Sequence, residues 1–127
     1  PFGPVALMAA YNDSEGWIDA LCDYLWENFQ VLSQLFSERL PQCRVTPLEG
    51  TYLVWADVSA LLPFTAKDGT RAVNVEQLCD YIMREARVWV NPGTMYGPQT
   101  GEGFIRINIA CPRQLLTEAL QRLCDVL

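Results

Sequence analysis

Apolar residues change their period several times along this 127-residue chain, and each change marks an element. From Phe2 to Tyr11 nearly every residue is apolar, without a break from Val5 onward. A helix of that composition is apolar on every side and must be buried all round. A small domain can rarely surround its own first helix, so the stretch predicts a partner surface beyond it. Asn12 and Glu15 stand at capping-box spacing and predict the start of a long helix, Glu15 to Arg39, stopped by Pro41. Along it Trp17, Ile18, Leu21, Leu25, Phe29, Leu32, Leu35 and Phe36 recur at helical spacing, with Trp26 and Val31 off the stripe. So wide a band is expected of a helix that packs on two bodies and bridges domains.

The period then shortens. Arg44 to Leu48 contains Pro47 and reads as an edge strand. Thr51 to Val58 carries Tyr52, Leu53, Val54 and Trp55 and follows a Glu49-Gly50 turn, so it reads as a better strand. Pro63 to Ala72 is polar, with an Asp68-Gly69 turn, and reads as a loop. Asn74 with Gln77 predicts a capped helix through Ala86 whose inner face is Leu78, Tyr81, Ile82 and Ala86. Val88-Trp89-Val90 reads as a short buried strand ended by Asn91-Pro92-Gly93, and Trp55 and Trp89 are expected to fill the core, the alternative being that either lines the approach to a substrate. From Asn91 to Gly103 the chain holds four glycines and two prolines, a loop of demanding backbone angles that carries function more often than packing. Pro112 opens a terminal helix through Leu115, Leu116, Ala119, Leu120, Leu123 and Leu127. The order predicts an α+β fold: a mainly antiparallel sheet of about four strands, covered on one face by helices. There is no internal repeat and no low-complexity tract.

The strand Phe104 to Ala110 bears the chemistry. Ile105, Ile107 and Ile109 share one face, and Phe104, Arg106 and Asn108 the other. A one-residue slip would bury the arginine and expose the isoleucines, so the register is fixed. A guanidinium two residues from a carboxamide is an acceptor for a planar anion, a carboxylate best of all. The competing reading pairs Arg106 with an acidic residue of the same domain, such as Asp57.

Net charge is −6, and the nine basic residues are scattered, which argues against a nucleic-acid surface. No apolar run approaches a membrane span. Five cysteines (Cys22, Cys43, Cys79, Cys111, Cys124) contain no C-x-x-C, and histidine is absent, which excludes a zinc site or a Cys/His nucleophile pair within the chain. Cys22, Cys79 and Cys124 fall on the apolar faces of predicted helices, where a reduced thiol acts as a small hydrophobe. The odd count points to a reducing cytoplasm. The carboxylates Asp19, Asp23 and Asp80 read as solvated, and Glu49 as a turn residue. The chain opens on Pro1 without methionine and is expected to be processed or a piece of something longer.

Several segments carry a family likeness: Ala9-Ala10-Tyr11, Gly16-Trp17, Asn28, Glu49-Gly50-Thr51-Tyr52-Leu53-Val54-Trp55, Val90-Asn91-Pro92-Gly93, Tyr96-Gly97, Gly101 to Ala110, and Pro112-Arg113. In this order they resemble the carboxyl-terminal third of the pyridoxal-phosphate-dependent cystathionine β-lyases of the MalY/PatB type, within the class I/II aminotransferase superfamily of fold type I. The resemblance implies that Arg106 holds the substrate α-carboxylate, with Asn108, Gly50, Tyr52, Tyr96 and the loop Asn91 to Gly103 near the substrate. It makes residues 1–14 a remnant of a large cofactor domain and residues 15–127 the small domain, its long helix joining the two. It implies pyridoxal phosphate in a full-length, homodimeric, cytoplasmic parent.

One departure matters. The family's chemistry needs a lysine that forms a Schiff base, usually in a Ser-x-x-Lys setting. The single lysine, Lys67, lies in the polar loop, in no such motif, and reads as an ordinary solvated side chain. No catalytic residue, covalently bound cofactor or metal is therefore expected in this chain. The expectation is a substrate-gripping domain, inactive alone, of a carbon–sulfur β-lyase. The alternatives are the same domain of a transaminase or a free-standing interaction module.

Overall fold

A computed structural model describes residues 2–127; Pro1 lies outside the described residues. Helix α1 (Phe2–Asp13) runs into helix α2 (Glu15–Arg39) with Ser14 between them. As the composition demands, α1 is helical; none of its residues is buried against the rest of the chain. The Asn12–Glu15 capping box does not form. Helical geometry persists through Asp13, so Asn12 lies inside α1 and the cap falls on Ser14, which makes no side-chain cap bond.

Helix α2 buries Leu25, Asn28, Leu32 and Phe36, spaced three or four apart along one stripe. The apolar residues nearer its start, Trp17, Ile18 and Trp26, remain exposed. The wide band thus divides lengthwise, its carboxyl-terminal part packed on this domain and its amino-terminal part open.

Strands β1 (Arg44–Val45), β2 (Leu53–Asp57), β5 (Asn91–Pro92) and β6 (Phe104–Asn108) form a four-stranded antiparallel sheet in the order β1-β2-β6-β5. Helices α3 (Val75–Ala86) and α4 (Arg113–Val126) join α2 against one face of it. The α+β expectation holds. The core unites Val54, Ala56, Ile105, Ile107 and Ile109 with Leu32, Phe36, Leu78, Ile82, Leu120 and Leu123. Helix α3 starts as expected, the Asn74 carboxamide oxygen accepting from the Gln77 N–H at 3.0 Å.

Three local expectations are corrected. The 63–72 loop contains a small hairpin, β3 (Phe64–Thr65) against β4 (Arg71–Ala72), closed through Asp68-Gly69 with Gly69 at φ 87°. Ladders of two residues are too short for β propensity to register in a polar sequence. Val88-Trp89-Val90 is not a strand: pairing begins only at Asn91, after a left-handed Arg87 at φ 56°. Val90 turns into the core while Trp89 is 80% exposed, because β5 is an edge with a neighbour on one side only. Cys22 is exposed, unlike Cys79 and Cys124, since it stands off the buried stripe of α2.

One fully buried polar side chain ties the layers together. The Asn28 Nδ2 donates to the carbonyls of Ile109 (2.9 Å) and Cys111 (3.0 Å), and its Oδ1 accepts from Arg113 Nε at 3.2 Å. Arg113 also pairs with Glu27 at 2.6 Å and lies over the Tyr24 ring, whose hydroxyl accepts from the Arg113 N–H. This network fastens α2 to the segment between β6 and α4, where the strand ladder has ended and those carbonyls lack strand partners.

Replacing Asn28 by Leu keeps the volume and strips these bonds. The expected loss is about 2 kcal/mol, since the Cys111 carbonyl loses its side-chain donor while the Ile109 carbonyl keeps the Cys111 N–H at 2.9 Å; it is read as a lower urea midpoint, and an unchanged midpoint would show that water serves the Cys111 carbonyl equally well. Burial pushes the Cys79 thiol up to about 12 and the Cys43 thiol up to about 11. A raised thiol pKa holds the proton in the folded state, so this contribution to stability is intact below pH 9 and is lost as pH climbs toward 12. At pH 8 a disulfide-exchange reagent is expected to titrate Cys22 first and Cys79 only after unfolding; immediate Cys79 labelling in the folded chain would contradict this.

Candidate functional site

The face of the sheet turned away from the helices carries the candidate site. In β6 Ile105 and Ile107 point inward and are buried, followed by Ile109 just past the strand, so Arg106 must point out. Its cross-strand neighbours are Trp55 of β2 on one side and Asn91 of β5 on the other. Directly paired residues share a face, so the three form a row across the open surface.

Tyr96 covers that row. It follows a 3₁₀ turn, Gly93–Met95, and its N–H donates to the Gly93 carbonyl at 2.9 Å. Its ring centre lies 4.1 Å from the Arg106 guanidinium carbon. Asn91 Nδ2 donates to the Tyr96 hydroxyl at 3.0 Å, and the Trp55 ring meets Tyr96 nearly edge-on, 5.6 Å between centres at 79°. Phe104 continues the aromatic wall behind Trp55 at 6.4 Å. Thr94, in the same turn, donates a hydroxyl hydrogen bond to Glu76 and so fastens the loop to α3.

The glycines of this loop have a steric reason. A Cβ added to Gly93 would lie 2.4 Å from the Gly101 carbonyl oxygen, and one added to Gly101 would lie 2.1 Å from that of Gly93. The two passes of the loop therefore cross backbone on backbone.

Arg106 is not claimed by an acidic neighbour. Among the described residues its guanidinium has no salt-bridge or hydrogen-bond partner. Asp57 sits two pairs further along, opposite Phe104, and accepts from the Ser59 N–H (3.0 Å) and hydroxyl (2.6 Å). The fork of N–H donors stays available for an external anion.

Of the other residues singled out from the sequence, Asn108 lies on the same face, exposed, its Oδ1 occupied by the Ala110 N–H at 2.8 Å. Tyr52 is half-exposed and passes its carbonyl to the Ile109 N–H at 3.0 Å, at the Asn108 end of the sheet. Gly50 lines a separate cleft, against Cys22, Leu25 and Trp26 of α2. The structure therefore joins Arg106 to Tyr96 directly, sets Asn108 two residues along, and leaves Gly50 and Tyr52 on the neighbouring turn. The sequence left Trp55 between the core and the substrate approach and set Asn91 at the start of the substrate loop; the structure puts Trp55 on the open face, and strand register places both beside Arg106.

Lys67 is exposed, on the turn between β3 and β4, beside a cleft that Asp68, Tyr81, Glu85 and Leu127 also line. Among the described residues no group of three or more His, Cys, Asp or Glu side chains is placed to hold a metal.

No protein-family model matches the chain. Curated relatives do. The cystathionine β-lyase PatB of Bacillus subtilis is 30% identical over 122 residues, 96% of this chain and 29% of PatB. The protein MalY of Escherichia coli is 30% identical over 122 residues, again 96% of this chain and 28% of MalY. Among solved structures, the pyridoxal-phosphate-bound C–S lyase of Staphylococcus hominis superposes with a TM-score of 0.83 at 32% identity, over 98% of this chain and 30% of that one. The chain thus spans under a third of the length of the proteins it resembles.

Replacing Gly101 by Ala forces the crossing apart and should release the turn that carries Tyr96. Limited proteolysis is expected to cut within residues 93–103 at a protease level that spares the unaltered chain; equal resistance would show that the crossing is not needed.

Proposed function

The chain belongs, as a carboxyl-terminal domain, to the MalY/PatB-type cystathionine β-lyases of the fold type I aminotransferase superfamily, and from that premise we propose that Arg106 grips the α-carboxylate of an amino-acid substrate. The observation that carries this reading is an outward guanidinium with an unused donor fork, fixed in direction by buried isoleucines behind it. A planar fork and a planar carboxylate match in a two-bond contact. Holding the carboxylate orients the Cα substituents, and orientation decides which bond is broken.

The parent enzyme would cleave the carbon–sulfur bond of cystathionine or cysteine, releasing a thiol (homocysteine or sulfide), pyruvate and ammonia. Pyridoxal phosphate, held by the rest of the polypeptide, would supply electron withdrawal at Cα when bound. The residues of this chain do not fit a seat for that group, since its single lysine is solvated on a hairpin turn. The chain alone is therefore inactive on this reading. Asn108 Nδ2 and the Tyr52 hydroxyl are the further polar groups of this chain toward the substrate, with Gly50 on the turn beside them.

The exposed apolar surface of α1, Trp17, Ile18 and Trp26 is what a large cofactor domain would cover. On this reading residues 1–14 are part of that domain, residues 15–127 form the small domain, and α2 bridges them. The parent would be a homodimer. Its free thiols suit the cytoplasm, and no helix of the described residues is long and apolar enough to cross a membrane. Transamination would use the same carboxylate grip, so the products distinguish the two reactions.

In the full-length protein, Arg106→Ala is expected to lower kcat/KM by about 1.5–3 kcal/mol, the range for a lost charge-assisted pair, with pyruvate and ammonia as the measured products. Unchanged kinetics would refute the carboxylate role; a keto acid formed without ammonia would assign transamination instead.

A further inference from the structure

We propose that Tyr96 is a positioning residue that holds the Arg106 fork on target, and that Asn91 is its anchor; this rests on the carboxylate reading of Arg106 above. A guanidinium keeps all its N–H donors in its own plane. The Arg106 guanidinium carbon lies over the Tyr96 ring, 4.1 Å from its centre, and this contact with the π-face takes no hydrogen bond from them. The stack removes rotational freedom from a long side chain on an open sheet face, where nothing else among the described residues bonds to it.

Tyr96 is itself held by the two residues that flank Arg106 in the sheet. Asn91, the β5 partner of Arg106, donates to the tyrosine hydroxyl at 3.0 Å, and Trp55, the β2 partner, meets the ring edge-on. One strand register thus places the arginine, the anchor of its cover and the side wall together. Tyr96 acts through Arg106 and need not touch the substrate. Its hydroxyl is turned to Asn91 rather than left free, which marks it as a clamp. Removing the ring should loosen substrate binding more than it slows the bond-breaking step, because the fork must be ordered anew each time a carboxylate binds.

The test uses the full-length protein with Tyr96→Leu, Tyr96→Phe and Asn91→Ala, alone and combined, and with Arg106→Ala as a second background. Tyr96→Leu is expected to raise KM about tenfold with kcat within about twofold. The competitive inhibition constant of propionate, a bare carboxylate, should rise in parallel. Tyr96→Phe keeps the stack and should recover most of the loss. Asn91→Ala should match Tyr96→Phe and add nothing to it, since both remove the same hydrogen bond. In the Arg106→Ala background Tyr96→Leu should change nothing further.

An equal Tyr96→Leu effect with and without Arg106, or a loss in kcat alone, would overturn the clamp. If Tyr96→Leu does not fold, the other pair decides: additive effects of Asn91→Ala and Tyr96→Phe overturn it, and non-additive ones support it. A neutral Arg106→Ala would remove the carboxylate reading and the clamp with it, whereas a costly Arg106→Ala beside a neutral Tyr96→Leu removes the clamp only.

Discussion

Three isoleucines determine where Arg106 points. Side chains alternate along a strand, so burying Ile105, Ile107 and Ile109 leaves Arg106 no direction but outward. Slipping β6 by one residue would take a charged group out of water and expose three β-branched side chains, a change costly on both counts. The energy that sets the functional face thus comes from the opposite face of the same strand. Everything proposed for the site inherits its geometry from that asymmetry: the Trp55–Arg106–Asn91 row, the tyrosine laid over it, and the loop drawn back across itself at Gly93 and Gly101.

A second constraint locks this sheet to the long helix. Asn28 is the one buried polar side chain among the described residues, and all its hydrogen bonds run to the segment where β6 ends and α4 begins. A polar group sealed in a core is tolerated only where it is fully bonded, so its position allows one docking of α2 on the sheet. Helix α2 also carries the exposed Trp17 and Trp26 further up its length. On the proposed reading, a second body seated there would be joined to the Arg106 sheet through one continuous helix.

Much of this was legible in the sequence, and for local reasons. The span of α2, the Asn74 cap, the edge character of the first strand and the two faces of β6 all follow from short-range periodicity or capping chemistry. The readings that failed depended on what lies beside a residue. Trp89 has the composition of a core side chain but lies ahead of the first paired residue of the edge strand β5, where nothing in this domain covers it. Asn12 has the spacing of a cap, yet the preceding apolar run stays helical past it. Cys22 is apolar enough for a core, but it lies off the stripe that α2 turns to the sheet.

By itself, then, the order of residues determined the main helices, the two long strands, the register of the functional strand and the outward arginine, because those are set by periods of two and 3.6 within one segment. Only the tertiary structure decided that Arg106 is stacked rather than ion-paired, that Asp57 is spent on Ser59, and that Asn91 and Tyr96 belong to the same cluster. Apart from the local Asp57–Ser59 turn, these contacts join residues on different strands or across a loop. They depend on which strands lie side by side and on where a loop crosses itself, and neither leaves a period in the chain.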